Sequence, residues 1–355
     1  MPGLWAVASL QIFQQIEIFL NKTGEYSFIL YISQNKDLIR LTNYFMLKRT
    51  TLVLFVITML TVSSYKATAQ YYFYNQDYYD NPIVFEIGGS IGAMNCLTDL
   101  GGKKGIGKRF IKDLNIGKTH LAGSIFFNAM YKNAIGLRVE GTFGNVSAND
   151  NVLAGITDIA KERYNRNLNF RSTIKEASLL AELHPLYMFI DWTARDDDPP
   201  KLSPYLLGGI GYFSFNPQTQ LGNRWVDLQP LSTEGEGFTE YPDRKVYKLQ
   251  QINFPVGIGA RYELSPLINL RAEFLYRILT TDYLDDVSKT YIDPALFSHY
   301  FTGTKLADAL ALNNRQLVQH TAPNGGGKRG SPNQNDAYFS FNLKVSLVLG
   351  REKIR

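Results

Sequence analysis

Residues 268–278 read Ile-Asn-Leu-Arg-Ala-Glu-Phe-Leu-Tyr-Arg-Ile. Ile268, Leu270, Ala272, Phe274, Tyr276 and Ile278 share one side of an extended chain, and Asn269, Arg271, Glu273 and Arg277 share the other. Successive side chains of a strand point to opposite faces, so this period of two predicts a β-strand with one apolar and one charged face. The pattern spreads outward from there. In 252–262, Ile252, Phe254, Val256, Ile258, Ala260 and Tyr262 alternate with Asn253, Pro255, Gly257, Gly259 and Arg261. Residues 339–349 and 135–143 alternate in the same way.

Weaker alternation predicts four more strands at 83–94, 120–131, 168–183 and 204–215. In 168–183 the phase slips between Ile174 and Ala177, which reads as a β-bulge. The set amounts to eight strands, longer than those of ordinary soluble sheets, and an even number can close. Their connections alternate in length. Lys132-Asn133, the polar stretch 191–201 and residues 263–267 are the shorter links, whereas 95–119, 149–167, 216–245 and 280–336 are long. Short turns at one end and long loops at the other describe an all-β, eight-stranded antiparallel transmembrane up-and-down barrel with long extracellular loops.

Composition agrees with that class. Of 355 residues, 45% are apolar and 19% charged, below the roughly 25% charge of average globular chains. Windows of eighteen or more consecutive apolar residues do not occur, which argues against a helical span. One cysteine excludes a disulfide scaffold or a Cys-based zinc site.

The N-terminal part reads as a leader. From Met46, Lys48 and Arg49 precede an apolar run over 51–62, and Ala67-Thr68-Ala69 fits the small-residue cleavage rule. The expected organisation is a mis-assigned upstream extension at 1–45, a signal peptide at 46–69 cut between Ala69 and Gln70, a short lead at 70–82 and the barrel at 83–355. Residues 1–69 hold six of the 37 basic and three of the 32 acidic residues, leaving 31 and 29 in the mature chain. That near-balance gives no electrostatic footprint for nucleic acid.

If apolar faces meet lipid, the opposite faces line the lumen. They carry Arg138, Arg261, Arg271, Arg277 and Lys344 against Glu86, Glu140, Glu176, Glu182 and Glu273. An eight-stranded barrel is only wide enough for side chains to fill it, and buried charges persist when paired. The balanced set therefore predicts an ionic plug rather than an open pore.

Chemistry is sparsely signalled. His120, His184, His299 and His320 are isolated from one another, and Ser288 or Ser298 with His299, or Asp282 with His320, are the pairings a barrel-embedded hydrolase would use. None lies in a recognisable motif, so no enzyme, catalytic residue or cofactor is expected. Asp282, Asp285 and Asp286 form a weak calcium candidate, against the alternative that Asp residues of the 280–293 stretch, Asp293 included, cap a short helix. Gly101-Gly102 with Lys103, Lys104, Lys108 and Arg109 reads as an extracellular loop facing lipopolysaccharide phosphates, and Gly325–Gly327 beside Lys328 and Arg329 as a flexible tip.

Several stretches together resemble the PorG-like outer-membrane barrels of Bacteroidota. They are FEIGGSIGAMNCLTDLGG at 85–102, SANDNVL at 147–153, RNLNFRSTIKEASLLAE at 166–182, TDYLDDVSKTYID at 281–293 and KRGSPNQNDAYFSFNLKVSLVL at 328–349. The resemblance implies a non-enzymatic component of the type IX protein secretion or gliding apparatus, touching periplasmic secretion-machinery proteins and exported through the Sec pathway to the outer membrane. The alternatives are a small envelope-integrity or adhesion barrel of OmpA/OmpX type, or a barrel-embedded hydrolase. Outer-membrane lipid and lipopolysaccharide are the other expected partners, and no small-molecule substrate is indicated.

Overall fold

The computed structural model describes residues 82–101, 116–155, 160–189, 200–319 and 325–349. The leader with Ala69 and Gln70, the basic stretch Lys103 to Arg109 and His320 lie outside the described residues. Eight strands form the wall: β1 (Ile83–Leu97), β2 (His120–Tyr131), β3 (Ile135–Asn149), β4 (Asn169–Leu183), β5 (Leu202–Ser214), β8 (Gln250–Ser265), β9 (Ile268–Leu279) and β10 (Ala337–Leu349). Between β5 and β8 lie the short β6 (Gln218–Leu221) and β7 (Arg224–Asp227). Each wall strand pairs antiparallel with its sequence neighbour, and β10 pairs with β1 from Phe85↔Leu349 to Leu97↔Ala337. The sheet is therefore a closed, up-and-down, eight-stranded barrel.

Alternation sets the two faces. Leu121, Ile125 and Ile91 point outward and are 72%, 75% and 61% exposed, while Glu86, Arg138 and Lys344 point inward and are buried. A water-soluble chain does not present so wide an apolar surface, so the outer face of this wall is a lipid-facing belt. Closure at eight strands demands small inward residues where strands curve. An ideal Cβ on Gly259 would overlap the Tyr205 ring, so glycine there makes room for Tyr205 inside the lumen.

The predicted bulge in 168–183 is absent. β4 pairs with β3 in unbroken register from Asn169↔Asn149 to Leu183↔Ile135, and its burial alternates throughout. Ile174 and Glu176 share the inward face, one apolar and one charged, because the lumen changes character along its length. The wall's register shift lies in β8 instead, between Glu263 and Ser265.

The short links turn tightly at one end. Lys132 and Asn133 both take positive φ (48° and 54°), and the Ala134 amide donates to the Tyr131 carbonyl at 3.0 Å. Two such residues define a turn whose twist matches a hairpin. Helix α1 (Ala160–Arg166) precedes β4 at the long-loop end. After β4, the helical turn α2 (Pro185–Met188) carries Tyr187, whose hydroxyl donates to the Pro200 carbonyl at 2.8 Å.

The long links fold into a cap. β6 and β7 form a hairpin attached to β4 through Arg171↔Gln218, and α3 (Phe297–Tyr300) and α4 (Gly303–Asn313) pack beside it. Val226, Leu228, Leu231, Phe238, Ile292, Phe297, Ala309 and Leu312 make a hydrophobic core of their own, with Phe238 stacked on Tyr300 at 3.9 Å between ring centres. Gly325–Gly327 is part of this construction rather than a flexible tip. The Gly326 amide donates to the Tyr291 carbonyl and the Tyr291 amide to the Gly327 carbonyl, both at 2.9 Å. Thr290 and Lys328 pair beside them as in a strand, and Arg329 is buried.

Candidate functional site

The lumen is built from the inward positions of all eight wall strands. At its centre Arg138 of β3 meets Glu140 at 3.0 Å, Glu273 of β9 at 2.7 Å, and Glu182 of β4. Lys344 of β10 joins the same cluster, 2.6 Å from Glu140 and 2.9 Å from Glu273. Toward the short-turn end, Arg271 pairs with Glu86 and, at 2.9 Å, with Glu182, and Arg261 lies 3.5 Å from Glu86. Toward the cap, Arg277 pairs with Glu176 at 3.1 Å. All ten of the charged residues assigned to the lumen are thus buried and ion-paired.

Neutral groups complete the network. Tyr205 donates to Glu273 at 3.0 Å, Asn269 to Glu86 at 2.9 Å and Tyr338 to Glu176 at 2.5 Å. Phe126 stands under the cations, its ring centre 5.0 Å from the Arg138 guanidinium and 5.1 Å from the Lys344 ammonium. Above Arg277 the lumen turns apolar: Met94, Val146, Phe170, Ile174, Phe213 and Tyr338 pack as one cluster that continues into Phe215, Leu284 and Val287 of the long links. Cys96 belongs to this cluster as a free, buried thiol.

His184 closes the short-turn end, with its ring nitrogens 3.2 Å from Glu182 and 3.0 Å from the Ser203 hydroxyl. Burial pushes its pKa down to about 4, against the hydrogen bond to Glu182, so the imidazole is neutral at pH 7.

Between lumen and cap lies a collar of carboxylates. Asp285 accepts from the amides of Leu100 and Val287, both at 3.0 Å; Asp336 accepts from Leu284 at 2.8 Å, and Asp99 from Ser331 at 2.5 Å. Asp150 accepts from Gly101 at 3.0 Å and Leu168 at 3.1 Å and is paired with Arg166 at 2.9 Å. Arg166 also donates to the carbonyls of Arg329 and Asp99. Stretches scattered at 85–102, 147–153, 166–182, 281–293 and 328–349 therefore meet in one hydrogen-bonded ring.

Burial raises the acids of the collar. Asp282 is pushed up to about 8, and Asp285 and Asp336 well above the usual carboxylate range, with mutual repulsion adding to burial. The three members of the calcium candidate do not converge. Asp286 turns away to the Thr233 and Tyr247 hydroxyls at 2.5 and 2.6 Å, and among the described residues no group of three His, Cys, Asp or Glu side chains is placed to hold a metal ion. Asp293 acts as a cap, accepting from the Ala295 amide at 2.9 Å.

The hydrolase pairings do not assemble among the described residues. The Ser298 hydroxyl donates to the Ala295 carbonyl, Ser288 is buried, and His299 sits on the surface 3.9 Å from Glu240. His120 lies against the Ser147 hydroxyl at 2.6 Å. The collar was not foreseen from the residues, although the Asp-rich, Asn-rich ends of the predicted strands were its signal.

No family model and no curated protein matches the chain. Among solved structures it is similar to Ail, the attachment invasion locus protein of Yersinia pestis, at 9% identity over 75% of this chain and 97% of that one, with a TM-score of 0.31. OprG of Pseudomonas aeruginosa is similar at 10% identity over 75% and 92%, TM-score 0.29. A major outer membrane protein of Thermus thermophilus is similar at 12% identity over 75% and 99%, TM-score 0.32. At these scores the strand pairing itself, rather than the likeness, carries the fold.

Proposed function

We propose that the protein is a non-enzymatic outer-membrane barrel of the small OmpA/OmpX type, a plugged anchor that holds a folded cap at the cell surface for envelope integrity or adhesion. One observation carries this reading: the wall is apolar outside and holds paired charges at its centre, while the long links above it have a hydrophobic core of their own. A barrel whose centre is filled by paired charges is a packed support, and a cap so built is a surface to be presented rather than a set of mobile loops. Outer-membrane fractionation with heat-shifted gel mobility, followed by protease treatment of intact cells, tests it. Recovery in the inner membrane, or a cap out of reach from outside, would sink it.

A second reading, a component of the type IX secretion or gliding apparatus, is supported by the gathering of the PorG-like stretches into one collar. Deletion separates the two. Lost secretion of C-terminally tagged cargo favours the machinery role, and intact secretion with altered surface adhesion favours the anchor.

A further inference from the structure

Across the outward positions of all eight wall strands, two side chains are charged, and both are basic: Arg171 and Lys175 of β4. They lie on the same face, four residues and about 13 Å apart along the strand. Lys175 is paired in register with Phe143 on one side and Ser214 on the other, so it stands at the upper edge of the apolar belt. Phe143 and Leu179 beside it are 55% and 45% exposed to what would be lipid.

Arg171 stands above Lys175 on the same face and is held in place. Its guanidinium lies 3.6 Å from the ring centre of Trp225, and its Nε donates to the Gln218 side chain at 3.2 Å. Both partners come from the β6–β7 hairpin, which is therefore the support of this position. Between the two cations the Thr173 hydroxyl donates to Asn145 at 2.8 Å, so polar groups fill the interval. Among the described residues neither cation has a carboxylate within 4.0 Å, whereas the ten lumen charges named above are all paired. Two cations without a carboxylate partner at the top of a lipid-facing belt are placed to take an anion from the side.

We propose that Lys175, Arg171 and Trp225 form a docking site for the phosphate groups of a phosphorylated glycolipid in the outer leaflet, with Phe143 and Leu179 against its acyl chains. Guanidinium and ammonium groups both favour phosphate, and a cation level with an exposed aromatic ring faces the headgroup layer rather than free solution. The site rests on the outer-membrane reading above.

The test uses the full barrel in nanodiscs containing either bisphosphorylated or dephosphorylated lipid A, with retained lipid measured by native mass spectrometry. The wild type is expected to retain the bisphosphorylated lipid, and the R171E/K175E double variant about ten- to thirtyfold less. K132E, at the opposite end of the barrel, is the control and is expected to retain it fully. Because both substituted residues are exposed, heat-shifted gel mobility should show both variants folded, and R171Q/K175Q should give an intermediate loss. Equal retention by wild type and double variant, or of both lipids by the wild type, overturns the site. Full displacement by inorganic phosphate also overturns it, by reducing it to a general anion site. Failure to enter any nanodisc sinks the outer-membrane reading instead and takes the site with it.

Discussion

Arg138 and Glu273, 135 positions apart in the chain, meet at 2.7 Å in the middle of the lumen with both side chains wholly buried. Arg138 also serves Glu140 and Glu182, so one cation compensates three carboxylates. Removing it leaves Glu140 and Glu273 sharing Lys344, and Glu182 with Arg271 alone, so the water-poor interior is one cation short. The R138M variant is expected to lose about 3–5 kcal/mol or to fail to fold, measured by urea unfolding in lipid vesicles.

The same packing fixes the conductance. With Arg138, Arg271, Lys344 and their partners filling the lumen and an apolar layer above, the wild-type barrel in a planar lipid bilayer is expected to show no discrete channel steps.

Gly259 and Tyr205 define a steric limit. A Cβ at 259 would run into the Tyr205 ring, and that ring carries the hydroxyl bonded to Glu273. The G259V variant is expected to be less stable by about 1–3 kcal/mol, read by the temperature at which heat-shifted gel mobility is lost.

The collar gives a pH signature. The ordinary value for Asp282 is 3.8, and in the folded protein burial pushes it to about 8. Folding therefore retains a proton, and the associated stability is intact at acid pH and falls as pH rises from about 4 to about 8. D282N is expected to match the wild type near pH 4 and to protect the cap amides increasingly better up to pH 8, as followed by hydrogen exchange.

Much of the barrel was legible in the residues because period-two alternation has one cause: each wall strand separates two media. Residues 120–131 needed no adjustment for that reason, and the ten lumen charges could be named from their faces alone. Strand 168–183 failed on the same rule. Ile174 is inward and Ala177 outward; they looked out of phase because the lumen changes from ionic near Glu182 to apolar near Phe170 and Ile174, so apolar residues fall on both faces of the strand. The false slip also concealed Arg171 and Lys175 as outward residues.

The cap was illegible for a different reason. Its β6–β7 hairpin spans only Gln218 to Asp227, and its core joins Val226 to Ile292 and Leu312 across the chain. The collar likewise depends on Asp99 reaching Ser331 and Leu100 reaching Asp285, contacts that local periodicity does not encode. Separation in sequence, rather than weak chemistry, hid them.

The pairing of β10 with β1 has a kinetic meaning. Phe85 meets Leu349 only after almost the whole barrel has been made, so the ring cannot shut while the chain is still emerging. Every earlier species carries two unpaired strand edges, the form most prone to join edges with another molecule. The thirteen residues of the final strand, Ala337–Leu349, are thus a latch: a chain cut just before them would retain seven wall strands and still have nothing to close against.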